Sequence, residues 1–226
     1  MKFKSMALLM LTMAMPAMAD QVTVNTQGVS LVLDVENGQP AKYLYFGARL
    51  DERDKANLSV TANGRMDVYP AYGLNTPAES ALALRHADGN ISTALVATGY
   101  DSRQEANATV TVIHLKDAVY PVKVDLCYRA YKDVDLIEAW SEITNEEKGT
   151  VTLTTFASAM LPIRRGNVWM SHLSGTWASE GYVNNELLTP GEFVIRNADG
   201  TRNSHTDHAE VMFSLDGKGQ ENVGRV

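Results

Sequence analysis

The stretch VKVDLCYRAYKDVDLIEAWSEIT, residues 122–144, decides the fold class because its apolar residues recur at every second position. A period of two is typical of a β-strand with one buried face, whereas a helix repeats every ~3.6 residues. Residues 132–135, three of which are charged, interrupt the pattern and predict a turn. The stretch therefore predicts a β-hairpin whose inward face carries Val122, Val124, Leu126, Tyr128, Ala130, Ile137, Ala139, Ser141 and Ile143.

Short alternating segments continue along most of the chain and predict further strands. The alternation slips near Thr154–Thr155, which predicts a β-bulge, and residues 51–58 are polar enough to hold one helical turn. The chain stops at Val226 on what reads as the start of another strand. We therefore expect an all-β fold, a large antiparallel β-sandwich that is incomplete at its C-terminal end. The predicted strands are 21–25, 28–35, 41–47, 80–86, 107–115, 150–156, 166–172, 192–196 and 210–215.

The first nineteen residues have the pattern of a secretory signal peptide. Lys2 and Lys4 precede the apolar run 6–15, and the small residues Ala17 and Ala19 mark a cleavage site. The run is shorter than the roughly 20 residues that span a bilayer, and a buried N-terminal helix is the alternative. We expect export to the periplasm or the extracellular space, with residues 20–226 forming one domain.

Charge and cysteine content exclude several classes of function. Loss of residues 1–19 would remove two lysines and move the formal charge from −7 to −9, and no run of Lys or Arg remains. Nucleic acid is therefore an unsuitable partner, and no second apolar segment suggests a membrane. Cys127 is the only cysteine, so neither an intrachain disulfide nor a thiolate metal cluster is expected.

No group of residues reads as a complete catalytic site. The chain has no G-x-S-x-G or phosphate-binding motif, and the carboxylates Asp133, Asp135, Glu146 and Glu147 fall at turns, where solvated strand ends are expected. His205, Asp207 and His208 could bind a transition metal, but a polar loop explains them as well, so we expect no metal and no cofactor. His86, His114 and His172 are read as satisfied or half-exposed strand residues.

Two aromatic residues stand outside the strand pattern. Tyr72 follows Tyr69 and Pro70 in YPAYG, and Trp177 lies among small residues in HLSGTWASEG, residues 172–181. Aromatic rings stack on the C–H faces of sugars, and binding sites combine such rings with a few polar groups. The alternative is that each ring covers the rim of its own sandwich.

Several motifs in this order resemble the N-terminal domain of glycoside hydrolase family 36. They are YPAYG, LRHADG, the 122–144 hairpin, LSGTWASEG and LTPGEFVIRNADGTRNSHTDH. The family consists mainly of bacterial α-galactosidases, which cleave terminal α-linked galactose from raffinose-type sugars and galactomannans. Its members join a β-supersandwich to a catalytic (β/α)₈ barrel that carries both catalytic aspartates. The resemblance implies that this chain ends before the barrel, so that no residue of it is catalytic.

The resemblance also implies three substrate-binding residues. Trp177 matches the aromatic residue of the family's S/P-G-A-W motif, and Tyr72 matches the second tyrosine of Y-P-x-Y-G. His205 matches a family histidine, although the Asn-Pro that follows it in the family is missing here. The implied partner is an α-galactoside bound with the barrel, and homo-oligomers occur in the family. A free-standing carbohydrate-binding module and an oligomerisation domain are the alternatives.

Overall fold

The computed structural model describes residues 20–58, 66–73, 79–161, 163, 167–196 and 207–214. The predicted signal peptide 1–19 and the candidate residue His205 lie outside these ranges. Within them, no helix is both long enough and apolar enough to cross a membrane.

The described chain forms twelve strands and one short helix. The strands are β1 (Asp20–Asn25), β2 (Val29–Val35), β3 (Lys42–Ala48), β4 (Leu82–Arg85), β5 (Leu95–Gln104), β6 (Ala108–Asp117), β7 (Val122–Tyr131), β8 (Ile137–Asn145), β9 (Thr152–Phe156), β10 (Trp169–Thr176), β11 (Ser179–Leu187) and β12 (Asp207–Ser214). The helix α1 (Glu52–Ala56) begins after Asp51, whose carboxylate accepts a hydrogen bond of 2.8 Å from the backbone N–H of Asp54. This contact caps the helix, in agreement with the single helical turn predicted there.

The strands form four antiparallel sheets. Their orders are β1-β2-β3, β5-β6-β7-β8, β4-β9 and β11-β10-β12. β8 and β9 follow one another in the chain, yet β9 pairs with β4 instead of β8. The predicted all-β, antiparallel sandwich is confirmed.

One hydrophobic core holds the first sheet, β4 and the four-stranded sheet together. Leu33 of β2, Leu82 of β4 and Ile113 of β6 are all fully buried in it. Complete burial of such a side chain contributes roughly 1.5–3 kcal/mol. The core is therefore shared between these sheets.

The hairpin predicted from residues 122–144 is present as β7 and β8. Val124 pairs with Ile143, and Tyr128 pairs with Ala139. The predicted inward residues of β7 are buried, while Lys123 on the opposite face is exposed. Period two therefore predicted both the strands and their buried face.

The predicted bulge is also present. Ala83 of β4 pairs with Thr155 and Leu84 pairs with Leu153, so that Thr154 has no partner in the register. Its hydroxyl donates a hydrogen bond of 2.8 Å to the carbonyl oxygen of Ala83. The extra residue is thus accommodated in β9 without an unsatisfied hydroxyl group.

The structure differs from the strand predictions at four segments. Residues 192–196 do not form a strand; Phe193 instead packs its ring edge-on against His172, with the ring centroids 5.2 Å apart. Strands β5 and β11 were not predicted, because most of their side chains are exposed and give no alternating apolar signal. β12 begins at Asp207, three residues before the predicted start.

Candidate functional site

Trp177 occupies the tip of the β10–β11 hairpin. Thr176 pairs with Ser179, which leaves Trp177 and Ala178 as the two residues of the turn. The side chain of Trp177 is 82% exposed, the highest exposure of any large hydrophobic residue in the described ranges. The predicted loop position of Trp177 is confirmed, and its ring is available to a ligand.

The backbone at this tip is in an unusual conformation. Ala178 has a φ of 63°, the only positive φ of a non-glycine residue in the part of the chain that the structure describes. The left-handed region costs such a residue about 1–2 kcal/mol. Two-residue hairpin turns commonly require a positive φ at a central residue, so this conformation follows from the tight turn that carries Trp177.

Tyr72 lies in a second place, beside the β4–β9 sheet. Its N–H donates to the carbonyl oxygen of Leu82 at 2.8 Å, and its own carbonyl oxygen accepts from the N–H of Thr93 at 2.9 Å. These bonds hold the backbone while the side chain stays 49% exposed. The ring lines a groove of about 340 Å³ whose other residues are Ala83, Leu84, Arg85, Ile91, Thr152 and Thr154.

The structure does not join the predicted substrate-binding residues in one described site. Among its described lining residues, the groove beside Tyr72 contains none from the β10–β11 hairpin. Trp177 and Tyr72 are therefore two separate exposed aromatic positions, and His205 lies outside the described residues.

A larger pocket of about 360 Å³ opens between the sheets. It is mostly apolar, and Asp135 is the one carboxylate among its lining residues. That carboxylate accepts hydrogen bonds from the hydroxyl of Thr26 at 2.8 Å and from the N–H of Gly28 at 2.6 Å. These bonds lower the pKa of Asp135. A retaining glycosidase needs two carboxyl groups about 5–5.5 Å apart, and the described residues of this pocket include a single carboxylate.

Sequence reasoning missed a buried acid–histidine–hydroxyl arrangement. His86 Nδ1 lies 2.7 Å from Oε1 of Glu147, and its Nε2 lies 3.2 Å from the hydroxyl of Thr93. The order of groups is that of a nucleophilic triad, but His86 and Thr93 are each 1% exposed. Tyr120 also stacks on the imidazole at a centroid distance of 3.5 Å. Because no substrate reaches that hydroxyl, the arrangement supports the fold.

The structure corrects the prediction made for Glu147. Its position in the turn between β8 and β9 predicted a solvated carboxylate, yet its side chain is only 7% exposed. Its hydrogen bonds with His86 and with the N–H of Ala87 lower its pKa. Nothing local in the sequence signals this, since Ala87 lies 60 residues away.

His114 lies between two carboxylates on the outer face of the four-stranded sheet. Its Nδ1 is 2.7 Å from Asp125, and its Nε2 is 3.0 Å from Asp101. The hydrogen bond with Asp125 is the main cause that raises the pKa of His114. Among the residues with described placement, no group of three His, Cys, Asp or Glu side chains has the arrangement of a metal site.

Two sequence comparisons relate the chain to α-galactosidases. It is 26% identical over 172 residues to alpha-galactosidase 2 of Pediococcus pentosaceus, a match covering 70% of this chain and 24% of that protein. It is 31% identical over 78 residues to probable alpha-galactosidase C of Aspergillus terreus, which covers 34% of this chain and 10% of the relative. The chain thus spans a quarter or less of these relatives.

Solved structures of α-galactosidases share the fold. The enzyme from Lactobacillus brevis matches with a TM-score of 0.73 and 19% identity, covering 88% of this chain and 31% of that one. The family 36 enzyme AgaA of Geobacillus stearothermophilus matches with a TM-score of 0.75 and 18% identity, covering 87% and 32%.

The family model of the glycosyl hydrolase family 36 N-terminal domain matches residues 39–226. This range includes both the Tyr72 groove and the β10–β11 hairpin. The chain therefore belongs to glycosyl hydrolase family 36, whose N-terminal domain it contains.

Proposed function

We propose that this chain is the N-terminal accessory domain of an exported α-galactosidase that hydrolyses terminal α-galactosides. In this proposal the sandwich packs on a catalytic barrel, and the hairpin tip provides one wall of the galactose pocket. The single observation that carries it is the tip itself. Trp177 is 82% exposed on a turn whose next residue, Ala178, is held at a φ of 63°.

An exposed indole on a two-residue turn is suited to sugar recognition. The ring offers a large apolar face for the C–H groups of a galactose, and only two side-chain torsions are fixed on binding. AgaA, which shares the fold, has been solved in complex with raffinose and with stachyose. Sugars of this class are therefore the ligands to test.

The binding test uses the purified chain and methyl α-D-galactoside. One wall without the rest of a pocket is expected to bind in the millimolar range, roughly −4 kcal/mol. Amide chemical shifts followed by NMR should move around residues 174–182, and Trp177→Ala should abolish the change. Tyr100→Ala is a matched control, because Tyr100 is 42% exposed on β5, which belongs to a different sheet from the hairpin. An unchanged titration in Trp177→Ala would refute the pocket-wall role.

The catalytic part of the proposal has a separate test. The purified chain should not release aryl alcohol from an aryl α-galactoside, because the paired carboxylates of this chemistry are proposed to lie on the barrel. Stoichiometric turnover by the chain alone would contradict the accessory role.

Export is tested by N-terminal sequencing of the secreted chain, which should begin at Asp20.

Exposed apolar side chains on one sheet face favour a second function. This face would serve as a contact surface for another protein subunit. Val183, Leu187 and Met212 share one face of the β11-β10-β12 sheet, as their register with β10 shows, and they are 63%, 40% and 46% exposed. Exposed apolar clusters of this kind mark interaction sites. Sedimentation velocity should show concentration-dependent association that Val183→Lys weakens, whereas Val119→Lys, at a residue 79% exposed in a connecting segment, should not.

A further inference from the structure

A second aromatic residue stands beside the Trp177 turn. The hydroxyl of Ser179 donates a hydrogen bond of 2.9 Å to the phenolic oxygen of Tyr182, whose side chain is 61% exposed. The bond directs the phenol ring along the strand toward the turn, because Ser179 pairs with Thr176 at the tip. A ring fixed in this way is already oriented for a ligand and loses less rotational freedom on binding.

Polar side chains continue from Tyr182 along the same face of the hairpin. Tyr182 pairs with Ser174, Asn184 with His172, and Glu186 with Met170, so residues 182, 184 and 186 point to one side of β11. The amide of Asn184 donates a hydrogen bond of 2.7 Å to the hydroxyl of Ser174. We call Tyr182, Asn184 and Glu186 the hairpin row; it extends over about 13 Å at the usual rise of a strand.

A buried histidine at the same row has unused hydrogen-bonding capacity. His172 is 7% exposed, and neither of its ring nitrogens has a hydrogen-bond partner among the described residues. The nearest carboxylate oxygen, Oε1 of Glu186, lies 3.6 Å from Nε2, which is too long for a hydrogen bond. Buried polar atoms without partners cost free energy. The 3.6 Å separation leaves no room for a hydroxyl between the two groups, so a ligand hydroxyl at this end of the row would bind the carboxylate of Glu186, whose side chain is 48% exposed.

The charge of the row defines the class of ligand. The row contains an aromatic ring, an amide and a carboxylate, and no Lys or Arg belongs to it. Amide and carboxylate groups bind hydroxyls, and the ring binds C–H faces. A carboxylate in the row disfavours an anionic ligand, so the row fits a neutral sugar.

We infer that the hairpin row binds the second sugar unit of a neutral α-galactoside whose terminal galactose contacts Trp177. Tyr182 stacks on that second unit, Asn184 and Glu186 bind its hydroxyls, and Ser179 is a positioning residue that orients Tyr182. This inference rests on the proposed function of Trp177 and assigns a chain-length preference to the same hairpin.

The experiment compares two ligands of different length on the purified chain. Raffinose should bind about three- to tenfold more tightly than methyl α-D-galactoside, as expected for one additional stacked ring. Tyr182→Ala should remove this gain and leave the affinity for methyl α-D-galactoside within about twofold. Tyr182→Phe and Ser179→Ala keep the phenyl ring but break the 2.9 Å bond, and each should remove part of the gain.

A second variant and a control make the result independent of folding. Asn184→Ala removes a different group of the row and should also reduce the raffinose gain. Tyr100→Ala removes an exposed tyrosine from β5 and should leave both affinities unchanged. Circular dichroism and the thermal midpoint establish that each variant is folded.

The possible failures are distinguishable. If Trp177→Ala weakens the binding of both ligands, while Tyr182→Ala and Asn184→Ala keep the higher affinity for raffinose, the role of the hairpin row is refuted and the proposed function stands. If neither ligand binds, or if Trp177→Ala changes neither affinity, the proposed function fails and the inference fails with it.

Discussion

Glu147 and His86, 61 residues apart in the chain, are joined by a contact of 2.7 Å between Oε1 and Nδ1. Glu147 belongs to the turn between β8 and β9, and His86 follows β4. The second carboxylate oxygen accepts from the N–H of Ala87 at 2.9 Å. One side chain thus connects the edge of the four-stranded sheet with the β4–β9 sheet, next to the groove of Tyr72.

Replacement of His86 by alanine should destabilise the domain by about 3 kcal/mol, because it removes a buried ring and leaves a cavity. The ring is 1% exposed and stacks on Tyr120. Urea denaturation measures the loss. His114→Ala is the control, since that side chain is 35% exposed and should cost less than about 1 kcal/mol. Equal losses in the two variants would contradict the role given to His86.

The pKa of Glu147 predicts how stability changes in acid. Its pKa is lowered from the usual 4.5 by the hydrogen bonds with His86 and Ala87. The ionised Glu147 therefore contributes its full stabilisation above pH 4.5. This stabilisation is lost as the pH falls through the folded-state pKa, because the unfolded chain takes up the proton at a higher pH than the folded chain does. Thermal midpoints between pH 6 and 3 should fall more steeply for the wild type than for Glu147→Gln. Parallel curves would show that this carboxylate is not coupled to folding.

The pKa of His114 should be above its usual value of 6.5, with the hydrogen bond to Asp125 as the main cause and that to Asp101 as a second. Stability from this group is present below pH 6.5 and is lost as the pH rises through the raised pKa. Titration of the imidazole resonances by NMR measures it directly. Asp125→Asn should bring the pKa of His114 down by more than Asp101→Asn does, and the reverse order would be inconsistent with the geometry.

Gly73 should tolerate a side chain poorly. Its φ is +98°, and an added Cβ would lie 2.6 Å from the Cα of Ser92. We expect Gly73→Ala to cost at least about 2–3 kcal/mol in urea denaturation. Gly38→Ala is a matched control with a φ of +82° and open space around the added Cβ, so only the backbone cost of about 1 kcal/mol applies. A similar loss in both would exclude the contact with Ser92 as the cause.

Local patterns predicted most of the sheet structure. The β7–β8 hairpin was predicted from period two, and the bulge at Thr154 was predicted from a slip in that period. β11 was missed because its side chains are mostly exposed. Residues 192–196 alternate like a strand but have no strand partner in the described part of the chain, and Phe193 contacts a histidine ring instead. Alternation therefore predicts a strand only where the chain also finds a pairing partner.

The candidate site was predicted only in part. The composition around Trp177 showed that its ring would not be buried, and the motifs of the resemblance identified the family. The sequence did not indicate Tyr182 or the unpartnered His172, because their relation to the tip depends on the register of β10 with β11. Register fixes which side chains share a face.

The sequence by itself determined most of the strand pattern, the position of the tryptophan outside it, and the motifs of the family, since each depends on residues close together in the chain. Only the tertiary structure decided which sheets share a core, that β9 pairs with β4, and that Glu147 is buried against His86. These contacts join residues 60 or more positions apart. They form because separate apolar faces must cover one another, and local periodicity does not specify which faces meet.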